Sequence, residues 1–219
     1  MDELKIITLK ESVFEDNNAD AELLRGELTS KNTFFINLMA SPGAGKTSVL
    51  RALIPILRQK LSIAVMEADI DSSVDAQAIA ETGIKSIQLH TGGMCHLDAD
   101  MCRQGLRELG YEDFDLVILE NVGNLVCPAE FDTGAHLNMT ILSVPEGHDK
   151  PLKYPLMYQT CDLLVINKTD VMPFFDFDMD KLKEYASMRN PNIEILSVSA
   201  KTGDGILELA EWIISRIKN

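Results

Sequence analysis

The stretch that decides the fold runs from Thr33 to Thr47 and reads TFFINLMASPGAGKT. Its first half is a short apolar run, and its second half combines two glycines with a lysine and a hydroxyl residue. A buried strand that ends in such a loop and continues into a helix is the arrangement of a P-loop. In a P-loop, backbone N–H groups and the helix N-terminus surround phosphate groups. The stretch therefore predicts a phosphate-binding α/β domain.

The residue types in the loop suit separate tasks in phosphate binding. Gly43 and Gly45 allow the backbone to come close to the phosphates. We expect Lys46 to reach the β- and γ-phosphate oxygens and the Thr47 hydroxyl to ligate Mg²⁺. The remaining nucleotide-binding positions predicted in this stretch are Ala44 and Ser48.

Short apolar runs recur along the rest of the chain and alternate with helical patterns. The predicted strands are Thr33–Ala40, Ser62–Ala68, Ser86–His90, Phe114–Glu120, Asn138–Val144, Asp162–Asn167 and Ile193–Ser199. The predicted helices are Lys46–Lys60, with Pro55 expected to kink it or end it early, Ser73–Thr82, Asp98–Leu109, Asp149–Cys161, Asp178–Met188 and Asp204–Lys218. This alternation predicts the α/β class, a P-loop fold with a mostly parallel sheet of about seven strands and helices on both faces.

The first thirty residues differ in composition from the remainder. Residues 1–30 are polar, with one helix expected near Ala19–Gly26, and we interpret them as an N-terminal arm. Residues 31–219 are then the P-loop domain. No internal repeat or long linker divides this domain.

Carboxylates at strand ends are candidates for the Mg²⁺ shell. Glu120 ends the apolar run Phe114–Glu120 and is expected at the sheet edge where doubly wound folds bind ligands. Asp69 follows the second predicted strand, and Asp75 lies in the segment after it. Either aspartate would ligate Mg²⁺ directly or through water, or would cap a helix.

A second motif predicts which base is bound. Asn167, Lys168 and Asp170 close the sixth predicted strand within the sequence NKTD. A carboxylate at Asp170 accepts from guanine N1–H and the 2-amino group together, whereas adenine would leave the buried carboxylate unpaired. The segment of Ser199, Ala200 and Lys201 ends the last predicted strand and resembles the loop whose backbone N–H receives guanine O6. The sequence thus predicts GTP and GDP as ligands, and residues 31–219 as a P-loop GTPase domain.

Composition excludes several classes of partner. Among 219 residues, Lys plus Arg number 20 and Asp plus Glu 34, a formal net charge of −14. This charge opposes binding to nucleic acid and to anionic membranes. The N-terminal sequence lacks the apolar core of a signal peptide, and we expect a cytoplasmic protein. Four cysteines are too few for a disulfide scaffold, so thiols remain for metal or packing.

A third constellation contains Cys95, His96 and Cys127. Cys95 and His96 are adjacent in a segment that follows two glycines. Two thiolates and an imidazole suit Ni²⁺ or Zn²⁺, and three ligands leave one position open, which favours transfer of the ion. The alternative is that both cysteines are buried free thiols.

The position of Cys127 connects the candidate metal site to the candidate nucleotide site. It lies in the segment Glu120–Cys127, which also contains Gly123, where GTPases place a glycine that senses the γ-phosphate. Such segments order around γ-phosphate and Mg²⁺ and relax after hydrolysis. We therefore expect the nucleotide state to change the position of a metal ligand.

The combination of these motifs resembles the HypB family of hydrogenase nickel-incorporation GTPases, from about residue 32 onward. The resemblance rests on Ala40–Thr47, Thr91–Asp98, Glu120–Cys127, Glu146-Gly147 with Asp149–Pro155, and Asn167–Asp170. It implies a homodimeric GTPase that binds nickel or zinc at Cys95, His96 and Cys127 and helps deliver nickel to the hydrogenase large-subunit precursor. It also implies that Lys153 reaches a nucleotide held by the partner subunit, and that a small HypA-like nickel/zinc maturation protein is a partner.

Two rival functions remain open at the level of sequence. One is a related metallocentre GTPase serving urease or a cobalamin enzyme. The other is a nickel or zinc carrier in which the nucleotide is mainly structural, whose metal affinity would be the same with GTP and GDP.

Overall fold

The computed structural model describes the backbone of residues 2–69, 79, 81–91 and 93–218, and the side chains of these residues from 16 onward except residue 69. Seven strands form one sheet in the order β3-β2-β4-β1-β5-β6-β7, and all their pairings are parallel. The strands are β1 (Phe34–Ala40), β2 (Ile63–Asp69), β3 (Lys85–His90), β4 (Leu116–Glu120), β5 (Leu137–Ser143), β6 (Leu163–Asn167) and β7 (Glu194–Ser197). The predicted parallel sheet is confirmed.

Helices cover both faces of the sheet. They are α1 (Asp2–Ser30), α2 (Lys46–Leu57), α3 (Ala99–Leu109), α4 (Cys127–Glu130), α5 (Lys150–Lys153), α6 (Pro155–Gln159), α7 (Met179–Arg189) and α8 (Ile206–Ile217). The helix predicted over Ser73–Thr82 lies almost entirely outside the described residues, as does Asp75. No helix in the described part of the chain has the length and apolar content needed to span a lipid bilayer.

The alternation of side chains along each strand divides the core between the two faces. One core joins α2 and α8 to strand residues such as Ile36 and Val165. On the other face, α1 and α3 pack on β1, β2 and β4 in a cluster that includes Phe35. A third cluster joins α6 and α7 to β5 and β6. The fold is therefore a three-layer α/β arrangement.

Helix α1 is longer than the short helix expected near Ala19–Gly26 and is packed on the sheet. Ala21, Leu24 and Leu28 recur at helical spacing and are fully buried, and the two leucines belong to a core cluster with residues of β1 and β4. Among the residues of α1 whose side chains are described, few apolar residues face the core, so the pattern was hard to detect.

The helix predicted over Asp149–Cys161 is two short helices, α5 and α6. The break occurs at Tyr154, whose φ of −127° and ψ of 61° are not helical. Tyr154 precedes Pro155, and the proline ring disfavours helical backbone in the preceding residue. Similarly, α2 ends at Leu57, soon after Pro55, and does not continue to Lys60.

Because the strands are parallel, their carboxyl ends meet at one edge of the sheet. The loop after β1 contains the P-loop motif, β4 ends with Glu120, and β6 ends with Asn167. Strands β4 and β1 are neighbours, so Glu120 is aligned with Leu38. The topology thus places the three predicted nucleotide motifs at the same edge of the sheet, with β5 between β1 and β6.

Candidate functional site

The P-loop joins β1 to α2 through backbone that glycine adopts easily. Gly43 and Gly45 have φ values of 77° and 99°, in the left-handed region that side chains disfavour. A Cβ atom on Gly45 would lie 2.5 Å from Asn167 Nδ2. Gly45 therefore allows both the turn into α2 and the close approach of the loop that follows β6.

Thr47 and Glu120 meet at the start of α2. The Thr47 hydroxyl donates to Glu120 Oε1 at 2.8 Å, and Glu120 is only 5% exposed. A hydroxyl and a carboxylate at this distance are the hard oxygen donors that Mg²⁺ prefers. The side chain of Asp69, at the end of β2, is outside what the structure describes.

A cavity lies beside the P-loop, under the loop that follows β6. Its volume is about 250 Å³, and its walls are mainly the residues that the sequence assigned to base recognition. They are Gly45, Ser48, Asn167, Lys168, Asp170, Val171, Ala200 and Lys201. The predicted base-reading residues are thus brought together at one cavity.

Hydrogen bonds hold the base loop in place. Asn167 Nδ2 donates to the Ala44 carbonyl at 3.0 Å, while its Oδ1 accepts from Ala200 N–H at 3.2 Å. Lys168 Nζ donates to the Gly43 carbonyl at 2.7 Å. One amide and one ammonium group therefore tie the base loop to the P-loop and to the loop after β7.

Asp170 is oriented by its neighbours. Ser199 donates its hydroxyl to Asp170 Oδ1 at 2.7 Å, and Lys201 Nζ lies 4.0 Å from Oδ2. Ser199 is fully buried and is not among the residues that line the cavity, so its contribution is to orient the Asp170 carboxylate. A carboxylate oxygen has two lone pairs, so this hydrogen bond leaves acceptor capacity for a base.

The two predicted cysteine ligands lie next to each other. A hydrogen bond with the Cys127 side chain, assisted by partial desolvation, raises the pKa of the Cys95 thiol above its ordinary value. His96 Nδ1 is 3.9 Å from Cys95 Sγ, and the His96 ring stacks on Phe131 with centroids 3.8 Å apart. Within the described residues, no three or more histidine, cysteine or acidic side chains are grouped so that they could hold a metal ion, so the structure does not bring Cys95, His96 and Cys127 together as a three-ligand site.

The other two cysteines belong to the core. Cys102 and Cys161 are fully buried, and burial raises the pKa of the Cys161 thiol to about 12. Cys161 donates to the Leu163 carbonyl at 3.0 Å. Neither thiol is suited to metal binding.

The segment Glu120–Cys127 crosses from the P-loop to the thiols. A Cβ on Gly123 would lie 3.2 Å from Pro42 Cγ and 3.3 Å from Pro42 Cα, so Gly123 packs directly on the P-loop. Asn121 donates to Asn37 Oδ1 at 2.9 Å, which fixes the start of the segment on β1. The end of the segment is Cys127, the first residue of α4.

Several supporting residues were missed in the sequence. Glu146 accepts from Ser143 N–H and Ser143 Oγ, both at 2.8 Å, and also accepts from the Ser41 hydroxyl of the P-loop. Asn37 donates to Asn138 across the sheet at 3.0 Å. A polar residue in the middle of the apolar run of β1 was the available signal for Asn37, whereas the contact of Glu146 with Ser41 depends on tertiary structure.

Lys153 lies away from the nucleotide cavity of its own chain. Its ammonium is 2.6 Å from Asp149 Oδ2, and its side chain is 60% exposed. The hydrogen bond from Lys153 is the main cause of the lowered pKa of the Asp149 carboxyl.

The sheet, the P-loop and the base loop define a P-loop nucleotide-binding protein of the GTPase fold. A family model described as CobW/HypB/UreG, nucleotide-binding domain, matches residues 34–197. The hydrogenase maturation factor HypB of Azotobacter vinelandii is 42% identical over 209 residues, covering 95% of this chain and 69% of the relative.

Solved structures agree with the family assignment. HypB from Archaeoglobus fulgidus superposes with a TM-score of 0.85 at 34% identity, covering 93% of this chain and 99% of the other. HypB from Helicobacter pylori in complex with nickel gives 0.85 at 32% identity, covering 93% and 95%. The chain belongs to the HypB hydrogenase maturation factors of the CobW/HypB/UreG family of P-loop GTPases.

Proposed function

We propose that this protein is a GTP-hydrolysing metallochaperone, in which GTP binding and hydrolysis control the delivery of nickel to the hydrogenase large-subunit precursor. The observation that carries the proposal is the continuity of the segment Glu120–Cys127. It begins at the hydrogen bond with Thr47, packs on the P-loop through Gly123, and ends at the thiol beside Cys95.

GTP is the nucleotide that suits the cavity. The Asp170 carboxylate, oriented by Ser199, can accept from guanine N1–H and the 2-amino group. Asn167 fixes the distance between this carboxylate and the P-loop. Lys168 is held against Gly43, where its alkyl chain can lie along the plane of the base.

Hydrolysis in this site rests on positioning and on charge. Lys46 and the amides of residues 43–48 would neutralise charge that develops on the transferred phosphoryl group as water attacks. Thr47 and Glu120 would hold Mg²⁺, which supplies further charge neutralisation when bound; Asp69 and Asp75 are the further candidates for its shell. Since no general base is identified, we propose slow intrinsic hydrolysis that acts as a timer.

Nickel would be the cargo, with zinc as the competing ion. Cys95 and Cys127 offer two thiolates and His96 an imidazole, a donor set that suits both ions. A relative at 32% identity has been solved in complex with nickel, which supports nickel as the ion. The half-exposed thiols leave room for a further ligand from a receiving protein.

A homodimer would complete both sites. The exposed Lys153 is placed on the surface, where it would contact the nucleotide of a partner subunit. We further propose that the receiving proteins are a small HypA-like nickel/zinc maturation protein and the hydrogenase precursor, and that the protein acts in the cytoplasm. The relatives named as hydrogenase maturation factors favour this client over urease or a cobalamin enzyme.

The metal assignment is tested by titrating the protein with nickel and measuring the bound nickel by equilibrium dialysis. We expect Cys127→Ala to weaken nickel binding by about tenfold or more, because one of three ligands is lost. Cys161→Ala is the matched control, since this thiol is buried in the core, and it should bind nickel like the wild type. Equal nickel affinity of wild type and Cys127→Ala would contradict the assignment.

A further inference from the structure

Helix α1 contacts both segments that contain the candidate metal ligands. One buried side chain, Asn17, makes a hydrogen bond to each of them. Its Oδ1 accepts from Ala99 N–H at 2.9 Å, and its Nδ2 donates to the Asp132 carbonyl at 3.0 Å. Ala99 begins the helix that follows Cys95 and His96, and Asp132 follows α4, which begins with Cys127.

The bond to Ala99 satisfies a backbone group that α3 itself cannot pair. The first N–H groups of a helix have no partner within it. Asp98, the N-cap of α3, accepts from Met101 N–H at 2.8 Å. The Ala99 N–H bonds to Asn17 instead, so the start of α3 is fixed to α1 and not only to its own cap.

The hydrogen bond from Asn17 to the Asp132 carbonyl lies next to a residue that contacts His96. Asp132 is preceded by Phe131, on which the His96 ring is stacked with planes 8° apart. Asn17 is therefore hydrogen-bonded both to the start of the helix that follows His96 and to the residue that follows Phe131, on whose ring His96 stacks. With 8% of its surface exposed, Asn17 makes both bonds in a nearly dry environment.

Other contacts keep α1 in register with these segments. Arg25 donates to both carboxylate oxygens of Asp132 at 2.9 Å and to the Ala135 carbonyl at 2.9 Å. A Cβ on Gly134 would lie 2.8 Å from Leu24 Cδ2, so the loop touches the helix closely. On the α3 side, Arg103 donates to the Asp20 carbonyl at 2.9 Å.

We propose that Asn17 is a positioning residue for the thiol and imidazole site, and that α1 sets the spacing between the segment of Cys95 and His96 and the segment of Cys127. The proposal rests on the proposed function for the identity of the cargo. Its geometric content, the proximity of two thiols, is independent of any metal. Removing the amide would leave two buried backbone groups unpaired and let the two segments separate.

The geometric content is tested without metal by dibromobimane, which becomes fluorescent when it has alkylated two neighbouring thiols. Cys102 and Cys161 are fully buried, so bridging reports on Cys95 and Cys127. The rate is normalised to the reaction of the same protein with monobromobimane, which measures the accessibility of single thiols. We expect Asn17→Ala to slow bridging several-fold and Asn18→Ala, an exposed neighbour on the same helix, to leave it unchanged.

The same variants are then titrated with nickel chloride. We expect Asn17→Ala to bind nickel about tenfold more weakly, which is the scale for residues that hold metal ligands in place. GDP affinity should remain within about twofold of wild type, because Asn17 does not contact the P-loop. Asn17→Asp keeps the acceptor for Ala99 N–H but loses the donor to Asp132. Its nickel affinity should lie between those of the wild type and Asn17→Ala.

The outcomes separate this proposal from the proposed function. Wild-type bridging in Asn17→Ala with intact GDP binding would overturn the role of Asn17. If Asn17→Ala loses GDP binding through misfolding, Asn17→Asp decides, and wild-type bridging in that variant overturns the role equally. Nickel binding that ignores Cys127→Ala would instead refute the proposed cargo site, while the bridging result would still decide the role of Asn17.

Discussion

At the scale of single residues, the base loop shows how much a short motif specifies. Asn167 bonds to Ala44 and to Ala200, and Asp170 is oriented by Ser199. These bonds join the loop to its own protein neighbours and hold it in place, so the loop should lose little freedom when guanine binds. Specificity then depends on which atoms Asp170 offers.

Substituting Asp170 by Asn should change the preferred base. An amide cannot accept from guanine N1–H and the 2-amino group together, but it can donate to the 2-oxo group of xanthine. We expect GTP affinity to fall by about 100-fold or more, as for a lost buried pair of charged hydrogen bonds, and xanthosine triphosphate to bind better than GTP. Competition against a fluorescent GDP analogue measures the affinities for GTP and for xanthosine triphosphate.

The matched control for this change is Asp176→Asn, an exposed aspartate beyond the base loop. It should keep the preference of the wild type for GTP. If Asp170→Asn bound GTP as tightly as the wild type, the assignment of Asp170 to base recognition would be wrong.

The residues of the P-loop and the base loop were easier to predict from the sequence than the residues that support these loops. Lys46, Thr47 and Asn167 lie in motifs whose spacing along the chain encodes their geometry. Glu146 and Ser41 are more than a hundred residues apart, and their contact exists only once β1 and β5 pair. Similarly, the bonds of Asn17 depend on where α1 docks, which no local pattern specifies.

At the scale of elements, the segment Glu120–Cys127 runs from the hydrogen bond with Thr47 to the thiol of Cys127, and it is the proposed link between the nucleotide and the metal site. It is short, it is anchored at Asn121, and its glycine leaves little space above Pro42. A movement of the P-loop on loss of the γ-phosphate would therefore be transmitted to α4, where Cys127 lies.

Gly123→Ala tests this link. The added Cβ would stand 3.2–3.3 Å from Pro42, including its backbone, so the segment must shift by a few tenths of an ångström. We expect the turnover number for GTP hydrolysis to fall several-fold, less than the roughly 100-fold cost of a displacement of about 1 Å. GDP affinity should change little, since the phosphate loop itself is intact.

Single-turnover experiments measure the rate of GTP hydrolysis, and titration with GDP measures the GDP affinity. Gly26→Ala is a suitable control, because its added Cβ would meet no atom within 4 Å. Unchanged turnover in Gly123→Ala would show that the segment does not need its close contact with Pro42.

Strands were easier to predict than helices at this scale. All seven strands lie close to where they were predicted. The five inner strands are buried on both faces, which leaves an unambiguous run of apolar residues, whereas the edge strands β3 and β7 are only partly buried. The helices α5 and α6 were predicted as one because their apolar pattern continues through Tyr154, although Pro155 breaks the backbone. Helix α1 was underestimated because, from residue 16 onward, its buried stripe is narrow.

At the scale of the whole molecule, α1 is attached to the opposite edge of the sheet from the nucleotide site as well as to the thiols. His136 Nδ1 accepts from Phe35 N–H at 3.0 Å, and its Nε2 lies 3.0 Å from the Thr29 hydroxyl of α1. Burial, aided by the charge of Arg25, lowers the pKa of His136 below its ordinary value. The imidazole is therefore neutral in the folded protein at pH 7.

This lowered pKa makes the attachment of α1 sensitive to acid. The unfolded chain binds a proton at His136 near pH 6.5, whereas the folded chain does so only at lower pH. The stability contributed by His136 is thus present above about pH 6.5 and is lost progressively as the pH falls below that value.

Urea unfolding of wild type and His136→Gln between pH 8 and pH 5 measures this contribution. We expect the wild type to be more stable at pH 8 and the difference in free energy of unfolding to shrink below about pH 6.5. Titration of other groups is common to both proteins and cancels. A difference that stayed constant over this range would contradict the assignment of a neutral, structural His136.

The central claim is that the nucleotide state controls the metal site, and the most direct measurement is the nickel affinity of the wild type with GDP and with a non-hydrolysable GTP analogue in the presence of Mg²⁺. The account predicts affinities that differ by about fivefold or more, the lower end of typical coupling between sites, and that Cys127→Ala removes the difference. Reciprocally, nickel should change the ratio of the two nucleotide affinities by the same factor. Equal nickel affinity in the two nucleotide states would contradict the account and leave a carrier whose nucleotide is structural.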